Sequence, residues 1–175
     1  HGSCAWGDAA AIIPWNLYCS YGDKTMLAEQ YSSMKDWVDY IRRQDIDKCG
    51  GSYLWTSGEH FADWLALDNF HRESRYGATD PYYVASVYYY CSALFTAKAA
   101  GVLEKNEDYK YYQELAEKIK QAVQKEYFTA TGRPAVDTQT GLVLALYFDL
   151  VPESFRHRAV EMLMDKLGEE HMHLK

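Results

Sequence analysis

The stretch DPYYVASVYYYCSALFTAKAA, residues 80–100, decides the fold class. Asp80-Pro81 is a helix-opening signature. Proline gives up an N–H that the first turn leaves unpaired anyway, and the carboxylate accepts from the free amides behind it. Val84, Val87, Tyr88, Leu94, Phe95, Ala97 and Ala99 then follow without a polar face between them. A helix of that kind is enclosed by other elements. The next periodic stretch, 106–126, is its opposite. Tyr112, Leu115, Ile119 and Val123 recur at three and four residues, with Glu, Lys and Gln filling the other side. Together they read as a hairpin with one inner and one outer member.

Outward from this hairpin the same alternation recurs twice. Residues 8–21 are apolar all round (Ala9, Ala10, Ala11, Ile12, Ile13, Trp15, Leu17, Tyr18), and 25–46 carry the single stripe Leu27, Tyr31, Met34, Val38, Ile41. Residues 138–149 are short and apolar, compatible with a helix or a buried strand; their place between two helical stretches favours a helix. Residues 152–167 open on Pro152-Glu153, carry Phe155, Ala159, Val160, Leu163 and Leu167, and meet Gly168 as an expected C-cap. Linkers such as Tyr21-Gly22-Asp23-Lys24 are short, so consecutive helices run antiparallel. The expectation is all-α: six helices in three hairpins forming a single helical domain over 1–175, with the inner helices lining a centre.

Composition narrows the function. The 175 residues hold 18 Lys+Arg against 25 Asp+Glu, a net charge of −7. That balance argues against a nucleic-acid or anionic-membrane partner, because phosphate binding needs clustered cations. No apolar run approaches the roughly 18 residues of a membrane span, and no leader opens the sequence. With the four scattered cysteines Cys4, Cys19, Cys49 and Cys91 read as reduced thiols, the expectation is cytoplasmic residence. Aromatic residues are 15%, with 16 Tyr and 5 Trp but only 6 Phe. Tyr and Trp join an apolar face to a polar edge, which suits a sugar cleft and equally a tyrosine-rich core. His60, Asp63 and His71, or His171 and His173, lack metal-site spacing, and no dinucleotide, P-loop or nucleophile-elbow motif occurs; no cofactor is expected.

Residues 49–79 break the pattern. They have no sustained period and are too aromatic for a linker, with Tyr53, Trp55, His60, Phe61, Asp63, Trp64, Asp68, Phe70, His71, Arg72, Glu73, Arg75 and Tyr76. Long irregular stretches in compact domains usually carry function. Two Asp/Trp pairs stand out: Trp6-Gly7-Asp8 at the first helix entry, and Asp63-Trp64 inside the irregular stretch. An indole stacks on the C–H face of a sugar while a carboxylate accepts from its hydroxyls. Asp8 also reads as an N-cap, Asp63 as a loop cap, and the mixed charges from Asp68 to Arg75 as a solvated surface.

Cys4-Ala5-Trp6-Gly7-Asp8-Ala9-Ala10, running on through Ile12-Ile13-Pro14-Trp15, resembles bacterial α-L-rhamnosidases of glycoside hydrolase family 78. So do Tyr21-Gly22-Asp23, Gln30-Tyr31, Met34-Lys35, Trp37-Val38, Phe61-Ala62-Asp63-Trp64-Leu65 and Gly77-Ala78-Thr79-Asp80, in order along the chain. The resemblance implies an (α/α)6 toroid of six hairpins, of which three are read here. It also implies hydrolysis of terminal α-L-rhamnosyl bonds with inversion, by a general acid and a water-activating base. The acid is implied shortly before Trp6-Gly7-Asp8, where His1-Gly2-Ser3 stands, and the base beyond Lys175. What carries over is the substrate wall. Trp6 and Trp64 border the sugar, Asp8 and Asp63 take its hydroxyls, and Trp55, His60 and Asp68 stand beside them. Asp8 and Asp63 are the carboxylates available for a catalytic role. Three hairpins leave apolar flanks, so a homodimer completing the ring is a further expectation. The competing reading is a non-catalytic carbohydrate-binding remnant or a helical scaffold.

Overall fold

The computed structural model describes residues 2–66, 68 and 76–169. Six helices follow one another: α1 (Ala9–Tyr21), α2 (Lys24–Cys49), α3 (Pro81–Val102), α4 (Asn106–Tyr127), α5 (Gln139–Tyr147) and α6 (Glu153–Glu169). Among the described residues there is no strand, only the isolated bridges Trp64–Tyr76 and Phe128–Pro134. The ambiguous apolar stretch before Asp149 is a helix. No helix among the described residues is long and apolar enough to cross a membrane.

Local chemistry sets the helix starts. Asp23 accepts from the amides of Thr25 and Met26, Asp80 from Tyr82 and Tyr83, and Thr138 from Gly141. Each side chain satisfies first-turn donors that the helix itself leaves unpaired. α2 runs three residues beyond the expected end. It stops where Gly50 and Gly51, both left-handed at φ 70° and 71°, turn their amides back on the Asp45 carbonyl. Gly168, expected as a C-cap, lies inside α6 instead.

α3 is the centre, packing against α1, α2, α4 and α5. It is buried along nearly its whole length, as its lack of a polar face requires. The stripes Leu27, Tyr31, Met34, Val38, Ile41 on α2 and Tyr112, Leu115, Ile119, Val123 on α4 are buried. Each such side chain contributes about 1.5–3 kcal/mol. Tyrosines carry much of this core and still place their hydroxyls. Tyr83 donates to the Gly141 carbonyl, Tyr31 to Asp108 and Tyr112 to Asp39. Two inner helices are less enclosed than their composition implies. On α1 only Ala11 and Pro14 are buried, while Ile13, Leu17 and Tyr21 face out; Val143 and Tyr147 do so on α5.

Candidate functional site

The site grows from the loop between α2 and α3. Trp55 is buried behind it, its amide donating to Ser86 Oγ on α3 at 3.0 Å. The indole meets the His60 ring edge-on, with centroids 4.4 Å apart. His60 is itself buried and uses both ring nitrogens. Nδ1 accepts the Cys4 amide at 3.1 Å, and Nε2–H donates to the Ser57 carbonyl at 3.0 Å. Burial pushes its pKa down, so the neutral imidazole is the form that fits. Phe61 donates its amide to Ser3 Oγ at 3.3 Å. Residues 3–8, ahead of α1, are thereby tied to residues 57–61.

Asp8 lies within that junction, with no exposed surface. Trp37 Nε1 from α2 donates to Oδ1 at 2.7 Å, Ser92 Oγ from α3 to the same oxygen at 2.6 Å, and the Ala5 amide to Oδ2 at 2.8 Å. Asp8 sits at the N-cap position of α1 but makes no side-chain cap bond; its carboxylate turns upstream and into the core. Desolvation raises its pKa against those three donors, which pull it down. Ala5, at φ 64°, is held in a left-handed turn by the Asp8 bond. Beyond that turn Trp6 is 68% exposed. Gly7 has no alternative, because a Cβ there would fall 2.0 Å from the Trp37 ring.

From Trp6 a chain of edge-to-face aromatics crosses the surface. Trp6 meets Phe61 at 6.4 Å, Phe61 meets Trp64 at 5.0 Å, and Trp64 meets Tyr76 at 5.6 Å. It borders a cleft of about 280 Å³ lined by Glu59, His60, Phe61, Asp63, Thr79 and Tyr82, among others. Asp63 is fixed twice: its carbonyl accepts the Gly77 amide at 2.9 Å, and Oδ2 accepts the Thr79 hydroxyl at 2.9 Å. Asp68 Oδ1 accepts the Ala78 amide at 3.0 Å. Gly77 is required, since its Cβ would lie 2.5 Å from Ala66 Cβ and 3.0 Å from the Asp63 carbonyl.

His60 and Asp63 therefore share the cleft. Phe61 and Tyr76 line it too, while Trp6 and Trp64 stand outside its lining, Trp6 edge-on to Phe61 and Trp64 edge-on to both; Trp55 lies behind His60, and Asp8 lies behind Trp6. Asp68 braces the turn opposite Asp63. Phe70, His71, Arg72, Glu73 and Arg75, with His171 and His173, lie outside the described residues. Glu59, Tyr82 and Thr138 were not picked out from the sequence. Glu59 sits in the stretch without period; Tyr82 lies in the first turn of α3, a helix whose lack of a polar face singles out no side chain; Thr138 had a signal, a hydroxyl three residues before Gly141 at a helix start. Among the described residues no group of three or more His, Cys, Asp or Glu could hold a metal. The four cysteines are free, and burial pushes the Cys4 thiol up to about 12.

The family model of the bacterial alpha-L-rhamnosidase six-hairpin glycosidase domain matches residues 1–175. The chain belongs to this rhamnosidase family. It is 33% identical over 174 residues to an alpha-L-rhamnosidase of Formosa agariphila, covering 99% of this chain and 18% of that protein. The crystal structure of native α-L-rhamnosidase from Aspergillus terreus superposes with a TM-score of 0.82 at 36% identity, over 97% of this chain and 19% of that one. The Streptomyces avermitilis α-L-rhamnosidase complexed with L-rhamnose gives 0.81 at 30% identity, over 99% and 15%. The chain thus spans less than a fifth of the length of these rhamnosidases. Its fold is that of their helical six-hairpin domain, with three hairpins present here.

Proposed function

We propose that this chain forms part of the sugar-binding wall of an inverting glycosidase acting on terminal α-L-rhamnosyl or related bonds. The observation that carries the reading is the cleft at Asp63. A carboxylate, the Tyr82 hydroxyl and the rings of Phe61 and Tyr76 meet there, the combination a pyranose needs. Family membership and the likeness to an L-rhamnose complex support the choice of sugar. In this reading Trp6 and Trp64 stack on or border the ring, Asp63 accepts its hydroxyls, and His60, backed by Trp55, shapes the floor. Asp68 keeps the Gly77 turn in place. Of the two carboxylates considered for catalysis, Asp63 is the one with access to substrate. Asp8, fully used by three internal donors, acts through the placement of Trp6. Inverting hydrolysis further requires an acid and a base far enough apart to admit a water.

Incubating the chain with a panel of aryl glycosides, α-L-rhamnoside included, beside an Asp8→Asn/Asp63→Asn control tests turnover. Calorimetry with L-rhamnose tests binding. Release from the rhamnoside that vanishes in the control supports the glycosidase. Binding without release, lost in Trp64→Ala, leaves a carbohydrate-binding wall; neither removes the reading. The uncovered apolar residues Ile13, Leu17 and Tyr21 on α1, and Val143 and Tyr147 on α5, favour a second copy packing against these flanks. Sedimentation as a stable monomer removes that part.

A further inference from the structure

Asp63 is the visible end of a longer hydrogen-bonded line. Thr79 Oγ1, buried behind it, lies 2.8 Å from Thr138 Oγ1, and Thr138 Oγ1 accepts the Gly141 amide at 3.0 Å. We propose that Thr79 and Thr138 are positioning residues for the Asp63 carboxylate, coupling it through two hydroxyls to the N-terminus of α5.

Donor counting fixes the direction. The Gly141 N–H can only donate, and an ionised carboxylate can only accept. Thr79 has a single proton, and it must go to Asp63 Oδ2, at 2.9 Å. The proton in the 2.8 Å contact therefore comes from Thr138, whose oxygen is already accepting from Gly141. Every bond in the line then points toward Asp63. Chains aligned in this way polarise one another, and their origin at a helix N-terminus favours negative charge at the far end. The Gly77 amide holds the Asp63 carbonyl from the other side, so backbone and side chain are clamped independently. Residues 59 positions apart in sequence are joined, which links the loop before α3 to the start of α5. One helix cap thereby serves two ends: it starts α5 and orients a carboxylate on the cleft.

The functional half of this inference rests on the reading of Asp63 as sugar-facing, so two readouts are needed. One is the Asp63 side-chain carboxyl 13C resonance; the other is L-rhamnose affinity by calorimetry. In Thr79→Val, which keeps the shape and removes the proton, the resonance moves or broadens, and affinity falls about tenfold, the usual effect of losing one hydrogen bond to a charged group. Thr79→Ser restores both. Thr138→Gly caps α5 about as well as threonine does and adds no charge beside Asp63. It removes the hydroxyl that donates to Thr79, so the Asp63 signal and the affinity change while the melting temperature holds. A cap with no further role would leave both readouts at wild type in Thr138→Gly. An Asp63 resonance unmoved in both Thr79→Val and Thr138→Gly overturns the proposal, whatever the sugar does. A resonance that moves and is rescued by serine, in a wild-type chain that binds no L-rhamnose, upholds the positioning and overturns the sugar-binding reading.

Discussion

The two Asp/Trp pairs look alike in sequence and differ in almost everything else. Asp8 has no exposed surface and answers three donors from three separate parts of the chain; Asp63 lines a cleft and accepts one threonine hydroxyl. Trp6, beside Asp8, is the more exposed of the two indoles, at 68% against 37% for Trp64. In the first pair the acid turns inward and the indole outward; in the second, both stand near the surface. A carboxylate next to an aromatic residue is thus one motif with two physical meanings. The number and origin of the donors around it decide which applies. Where core donors converge, the acid organises structure; where few do, it remains available to a ligand.

The largest test of this difference is Asp8→Ala. It strands the Trp37 indole N–H, the Ser92 hydroxyl and the Ala5 amide at a buried point, a loss of about 3–5 kcal/mol. Asp63→Ala, at a partly exposed position where Thr79 is the side-chain donor among the described residues, costs within about 1 kcal/mol. Urea unfolding of both variants checks the ratio, and equal costs would erase the distinction. Asp8→Asn sharpens it. The amide keeps an acceptor for Trp37 and Ser92 but turns an NH2 toward the Ala5 N–H, so its cost falls between wild type and alanine.

Gly7→Ala comes next. Its Cβ meets the Trp37 ring, and overpacking of this kind costs about 1–3 kcal/mol. The same shift disturbs the Ala5 turn that presents Trp6. The expected signature is a lowered melting temperature together with altered Trp6 fluorescence. By contrast, Trp6→Ala changes stability little, since its ring is substantially exposed, and acts on L-rhamnose affinity; Trp64→Ala loses packing against Phe61 and Tyr76 as well as affinity. Calorimetry beside thermal melts separates the two classes; a large melting-temperature loss in Trp6→Ala would move Trp6 from the rim to the core.

These contrasts also mark what the sequence could carry. The buried stripes of α2 and α4 were legible because helical periodicity is local: Leu27 and Tyr31 need only each other to declare a face. Asp80, ahead of Pro81, was legible as a helix opening for the same reason. The destination of the Asp8 carboxylate was not, since Trp37 and Ser92 lie 29 and 84 residues away. Nor was the aromatic line from Trp6 to Tyr76, which depends on left-handed backbone at Ala5, Ala62 and Leu65, where no glycine advertises it. Apolar composition on α1 predicted enclosure, and the hairpins present leave Ile13, Leu17 and Tyr21 facing out. Composition reports the surroundings a helix prefers; it does not name the element that provides them.

The smallest effect concerns the junction that both pairs share. His60 joins the Asp8 side to the Asp63 side, accepting the Cys4 amide on Nδ1 and donating from Nε2 to Ser57. Protonating Nδ1 would set two donors against each other, and burial already holds the folded-state pKa below the ordinary 6.5. Between those two values the unfolded chain binds the proton and the folded chain does not. The His60 contribution is therefore complete above pH 6.5 and is lost as pH falls through that window. Asp8 runs the other way. Its raised pKa means the folded chain takes up a proton before the unfolded one, adding stability as pH falls toward 3.8. His60→Asn places an untitratable acceptor where Nδ1 stood, and so isolates the histidine. Melting curves taken between about pH 8 and about pH 5, the range in which histidine titrates, should show wild type losing more stability on acidification than His60→Asn. Parallel curves would mean the Cys4–His60 bond survives protonation, leaving Ser3 and Phe61 to hold the two sides of the site together.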